Sequence, residues 1–230
     1  MKKVLLSLTM LAIISTPVLA KSPVANLKIN GDIKPPTCTI NGATQSDVIF
    51  DYGVISPTLI PQSKNYLYPS TAVQNTVTIE CDAKTYLTFV ASDTYDSAEL
   101  ANNTSAQFHL VDKANTENAI GAALFIWNNV TVDDKPAYLS RANDVAITGE
   151  NFNNVLYKGP TNGWTSEQQT DVNKNSLALI SGNIFQATFK QGNKSRTFIL
   201  SKDSLSKKGI DLSDGLDFMG EAVLTFNFGV

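Results

Sequence analysis

Side chains in a β-strand point alternately to opposite faces, and that period of two, bounded by turn residues, recurs along this chain. Strands are expected at 25–33, 48–51, 75–81, 85–91, 107–111, 119–127, 176–180, 184–190, 196–200 and 218–230. Asn41-Gly42, Asn162-Gly163, Ser181-Gly182-Asn183, Gln191-Gly192-Asn193 and Asp214-Gly215 supply the turns between them. No long stretch keeps a helical period of 3.6. The expected class is therefore all-β, and the strand spacing suggests a sandwich.

The alternation is cleanest at the two ends. Phe218, Gly220, Ala222, Leu224, Phe226, Phe228 and Val230 share one wholly non-polar face, opposite Met219, Glu221, Val223, Thr225, Asn227 and Gly229. This is the pattern of a strand with one side in a core. Near the start, Ala25, Leu27, Ile29, Gly31 and Ile33 lie opposite Asn26, Lys28, Asn30, Asp32 and Lys34, before Pro35 and Pro36 stop the run. Two stretches break the rhythm. Residues 56–70 hold Pro57, Pro61 and Pro69 and are expected to be a loop or broken edge. Residues 140–176 are polar and weakly periodic, and are read as an insertion with one short hairpin.

Residues 1–20 open with Lys2 and Lys3, continue through an apolar run and close on Ala20, the layout of a secretory signal peptide. The longest later apolar run, 119–127, has nine residues, too few to span a membrane, so an exported chain without a transmembrane segment is expected. Without residues 1–20 the chain has 16 basic and 21 acidic side chains, a balance that argues against a nucleic-acid surface. The two cysteines, Cys38 and Cys81, stand 43 positions apart. In an oxidising compartment they are most simply a disulfide, which the chain-entropy model values at about 4 kcal/mol. A metal site lacks the paired cysteine spacing and has one histidine to recruit.

Catalytic signals are sparse. There is no nucleophile elbow, zinc-protease motif, dinucleotide fingerprint or phosphate loop, so neither an enzyme nor a cofactor is expected. His109 lies in a strand-like stretch and reads as solvent-facing or hydrogen-bonded. Asp211, Asp214 and Asp217 lack the spacing of a calcium loop and read as turn residues. Trp127 and Trp164 are candidates for a sugar-stacking platform, though single aromatics in a β-protein are more often core.

Taken in order, the alternating "LKINGDI" segment, the cysteine in "PPTCTI", the second in "VTIECDA" and the aromatic-rich terminal strand resemble subunits of chaperone-usher fimbriae. "VIFDYGVIS" and "QFHLVDKANTENAIG" are similar to that family's inner strands, while the stretch 140–176 has no counterpart. The resemblance implies an immunoglobulin-like Greek-key sandwich lacking its final strand, with residues 21–34 as a donor-strand extension and 35–230 as the pilin-like domain. It implies that Ala25, Leu27, Ile29, Gly31 and Ile33 enter a neighbouring subunit. The acceptor would be the 218–230 strand, whose Val230 carboxylate a periplasmic chaperone would anchor before an outer-membrane usher exchanged the strands. The chain would stop where the missing strand should begin. Two other readings stay open: a glycan-binding tip adhesin using Trp164, and a solitary periplasmic protein with a binding role.

Overall fold

The computed structural model describes residues 24–69, 73–192 and 196–229. The expected signal peptide, Lys21 and Val230 lie outside them. The chain divides into Met1–Lys34 and Pro35–Val230. Of the first unit, residues 24–34 are in no strand or helix, and Leu27, Ile29 and Ile33 are wholly exposed. The strand expected at 25–33 is therefore not formed: a strand is held by its ladder, and these residues have none.

The second unit is built from β1 (Cys38–Ile40), β2 (Tyr66–Leu67), β3 (Gln74–Asp93), β4 (Phe108–Asp112), β5 (Asn115–Ala123), β6 (Phe125–Val132) and β7 (Lys135–Pro136), then β8 (Tyr138–Ala142), β9 (Thr161–Thr165), β10 (Thr170–Val172), β11 (Ser181–Gln191), β12 (Phe198–Ile199), α1 (Lys202–Lys207), β13 (Phe218–Met219) and β14 (Ala222–Phe228). They form two sheets. The larger has nine strands in the order β10-β8-β9-β3-β11-β6-β7, with β1 and β14 also paired to β3; the smaller runs β13-β4-β5-β12-β2. The fold is thus all-β and sandwich-like, with one short α-helix among the described residues, whose N-cap, Ser201, accepts from the Ser204 N–H at 3.2 Å.

β3 is the longest element, and it joins the two strands expected at 75–81 and 85–91. Opposite it, Gly182 pairs with Thr85 and Ile184 with Glu80, so residues 81–84 bulge out while both halves stay in the sheet. The first half carries β1 on one edge and β11 on the other; the second carries β14 and β9.

Two expected strands prove to be pairs that change sheet. The apolar run 119–127 splits at Leu124, with β5 in the smaller sheet and β6 in the larger. At that corner the Gly192 N–H donates to the Leu124 carbonyl at 2.7 Å, and a Cβ on Gly192 would sit 1.9 Å from Leu124 Cδ2. The terminal segment splits likewise at Gly220 and Glu221, with β13 on β4 and β14 on β3. The strands expected at 48–51 and 176–180 are not formed. Residues 46–52 alternate between half-buried and exposed without a ladder partner, and 176–180 makes a single bridge, Thr165 to Leu179.

The polar stretch 140–176 lies within the sheet. β9 pairs with β3 and β8 with β9, and polar side chains are buried between them because they satisfy one another: Ser140 Oγ lies 2.6 Å from Thr165 Oγ1. Trp164 is a core residue, 1% exposed, with ring centroids 5.6 Å from Phe89, 5.5 Å from Phe185 and 6.5 Å from Phe226. Its Nε1–H donates to the Gln186 carbonyl at 3.1 Å. Trp127 is buried as well. Among the described residues no helix is long and apolar enough to cross a membrane.

Replacing Trp164 by alanine is expected to lower stability by about 3–5 kcal/mol, read as a fall in the urea midpoint at unchanged slope. A loss below about 1 kcal/mol would contradict its place in the core.

Candidate functional site

The sheet edges are unequal. β10 has three residues, a register break and Asp171 at φ 62°; β7 has two, one of them Pro136; β2 and β13 have two each; β1 has three. Short, bulged or proline-bearing edges resist pairing with other chains. β14 differs. It has seven residues, without proline or charge, and among the described residues its one ladder is with β3, from Ala222 opposite Asp93 to Phe228 opposite Leu87. Ala222, Leu224 and Phe226 face the main core but stay half-buried, and Phe228 is 49% exposed.

A second rim borders the same core. Val48 and Phe50 pack against the cluster that Leu224 and Phe226 join, and Phe50 lies 5.0 Å from Phe125. Further along, Tyr52 stacks on Phe218 at 6.5 Å, and the Asn75 side-chain amide donates to the Ile49 carbonyl at 2.7 Å. Residues 46–52 thus hold strand-like alternation and β14 a free edge, with no ladder between the two among the described residues. Both border the same core half-buried, and among the described residues neither has a ladder on its outer side.

The root of β14 is fixed by a buried cluster that connects the sheets. Asp93 ends β3, and its carboxylate accepts three hydrogen bonds: from the Tyr95 N–H at 2.9 Å on Oδ1, and on Oδ2 from the His109 N–H at 2.8 Å and from His109 Nδ1 at 2.7 Å. An ionised carboxylate only accepts, so the imidazole carries a proton on Nδ1. Burial raises the Asp93 pKa, but the hydrogen bonds from the His109 ring, the His109 backbone and the Tyr95 backbone outweigh it and hold the carboxyl below its usual range. Lys158 Nζ stands 3.7 Å from Asp93 Oδ2 and 2.5 Å from Asp96 Oδ1. Asp93, Asp96 and His109 are close enough together to suggest a metal site, but the ammonium of Lys158 already serves their carboxylates. Beside the cluster the chain passes from β13 to β14, and a Cβ on Gly220 would lie 2.6 Å from the His109 carbonyl oxygen. Glu221 then bonds Thr94 twice, backbone to backbone at 3.1 Å and Thr94 Oγ1 to Oε2 at 2.5 Å.

The structure therefore joins some of the expected site residues and leaves others apart. Cys38 and Cys81 are bonded and are register partners between β1 and β3. Phe218 stands in the smaller sheet, Gly220 in the crossover, and Ala222, Leu224, Phe226 and Phe228 along β14. Ala25, Leu27, Ile29, Gly31 and Ile33 are exposed. Trp164 is unavailable to a sugar, and the reading of it as a stacking platform falls. Asp211 caps its own turn, accepting from the Ser213 N–H at 2.9 Å and Oγ at 2.8 Å. The Asp93 network went unnoticed in the sequence, although an acid in phase with Leu87, Phe89 and Ala91 was its signal.

No family model, curated protein or solved structure matches this chain.

Because the folded pKa of Asp93 lies below its unfolded value, its contribution to stability is present above pH ~4 and is lost as pH falls through the folded pKa. Asp93→Asn is expected to cost about 1.5–3 kcal/mol at pH 7 and to flatten the decline of the urea midpoint below pH 4. Parallel declines in the variant and the parent would remove Asp93 as the source.

Proposed function

We propose that this chain is a structural subunit of a fimbria, assembled by donor-strand exchange through a periplasmic chaperone and an outer-membrane usher. The fold would be an immunoglobulin-like sandwich short of one strand. The observation that carries the reading is the edge of β14, which among the described residues is unpaired, long and uncharged where the other sheet edges are short or interrupted. A strand laid along it would cover the half-buried Leu224 and Phe226 and give unpaired backbone a ladder.

Residues 24–34 have the pattern such a strand needs, with Leu27, Ile29 and Ile33 on one face and no internal ladder to give up. Burying those three side chains is worth about 4–9 kcal/mol, less the entropy of ordering the extension. The 14 residues from Lys21 to Lys34, fully extended, reach about 46 Å, twice the length of the seven-residue β14.

Expressed in the periplasm, residues 21–230 should be recovered as a 1:1 complex with a chaperone of this type, or as multimers that survive urea on unboiled gels. Deleting residues 21–34 should leave chaperone capture intact and stop addition onto the next subunit. A stable monomer made without any chaperone would sink the reading and favour a solitary periplasmic protein.

A further inference from the structure

Three asparagines in this chain are followed by glycine: Asn30-Gly31, Asn41-Gly42 and Asn162-Gly163. Such a pair carries a latent reaction. The backbone nitrogen of the glycine can attack Cγ of the asparagine side chain, and because glycine has no Cβ nothing crowds that nitrogen. The fold decides whether the reaction runs. The backbone must turn so that nitrogen and Cγ meet, the side-chain amide must be free of its partners, and water must reach the product.

The three pairs differ in these respects. Asn162 is wholly buried within β9, with Phe89 of β3 as register partner on one side and Arg141 of β8 on the other. Its Nδ2–H donates to the Pro160 carbonyl at 3.0 Å, and a Cβ on Gly163 would lie 2.6 Å from Leu179 Cδ2. Asn41 turns the chain after β1 with φ at 49°. Its N–H donates to the Thr78 carbonyl at 2.8 Å, and its Oδ1 accepts from the Thr78 N–H at 2.9 Å. Asn30 has none of these restraints. It is exposed, lies in no strand or helix and, among the described residues, neither it nor Gly31 has a hydrogen-bond partner. A Cβ on Gly31 would meet nothing within 4 Å.

We propose that Asn30 is a site of spontaneous deamidation, the reactive one of the three pairs in the folded chain. The Gly31 nitrogen, having lost its proton to solvent, forms a bond to Asn30 Cγ. The Cγ–Nδ2 bond breaks, and ammonia leaves a five-membered succinimide. Water then opens the ring. Addition at Cγ gives aspartate, whereas addition at the main-chain carbonyl carbon of residue 30 gives isoaspartate, with the backbone rerouted through Cβ and Cγ. One water is consumed and one ammonia released, and no oxidant or reductant takes part. The inference concerns this segment alone and stands whether or not the chain is a fimbrial subunit.

The product differs from the parent in charge and in register. The new carboxylate joins Asp32 in offsetting Lys28 and Lys34. Isoaspartate also lengthens the backbone by an atom, which throws Ile33 out of phase with Leu27 and Ile29.

The test uses the full chain, residues 21–230, incubated for days in buffers from neutral to mildly alkaline pH. Each asparagine is followed by peptide mass spectrometry, with isoaspartate separated from aspartate by chromatography. Asn30 is expected to convert to a mixture of the two, faster at higher pH because the attacking nitrogen must lose its proton. Asn41 and Asn162 should lag by about tenfold or more, since their reaction waits on local opening and each ~1.4 kcal/mol of opening cost is a factor of ten. In urea, where the fold no longer holds them, the three rates should converge. Gly31→Val, which crowds the nitrogen with a branched side chain, should slow Asn30 by about tenfold as well.

An Asn30 that stays intact in the folded chain, or reacts no faster than Asn41 or Asn162, overturns the proposal. So does a Gly31→Val variant that deamidates like the parent, because the backbone nitrogen would then not be the nucleophile. Differences that persist in urea would trace the selectivity to neighbouring residues and overturn the fold as its cause.

Discussion

Every part of the larger sheet depends on the hydrogen-bond ladders along β3. Its first half pairs with β1 and β11 and its second with β14 and β9, while β11 reaches past the bulge at 81–84 to Thr85 and Tyr86 and keeps both halves in one sheet. The same strand carries Cys81, bonded to Cys38, and ends in the carboxylate that holds His109 in the opposite sheet. A twenty-residue strand that pairs with four others leaves little freedom to the elements beside it. What is unusual is on the far side of β14, where the pairing stops although the backbone is still extended and its inward side chains are only half covered.

Much of this was legible in the sequence, and what was missed has physical causes. Strict alternation marked the terminal strand and the faces of Ala222, Leu224 and Phe226, because one side of that strand is core and the other is solvent. The corner at Leu124 left no trace. Residues 119–123 are buried or nearly so on both faces, so the run has no period to interrupt, and the change of sheet depends on Gly192 making room nearly seventy positions later. Gly220 showed a glycine but not its reason, which is the His109 carbonyl beside it. The stretch 140–176 was too polar to suggest strands, because its buried hydroxyls are satisfied by partners such as Ser140 and Thr165 that only the fold brings together.

The candidate site divides in the same way. Its apolar face could be read from spacing alone. The free edge could not, because whether a ladder has one neighbour or two is a property of topology. The Asp93 network combines both cases: the phase of β3 places an acid on the inward face, but His109, sixteen positions on, and Lys158, in the polar stretch, become its partners through tertiary structure. Such a buried carboxylate is tolerable because it accepts three hydrogen bonds and has the Lys158 ammonium 3.7 Å away.

The pairing of β14 with β3 also sets an order of events. Cys38 and Cys81 can meet once the first third of the chain has emerged, but Phe228 must find Leu87 across 141 positions, after β4 to β13 have been made. Closing a loop of that length is slow compared with forming local hairpins. Until it closes, Phe89 and Trp164 lack the cover of Phe226 and the second half of β3 keeps an open edge. The lifetime of this state then sets an exposure to aggregation and proteolysis that the final free energy does not report.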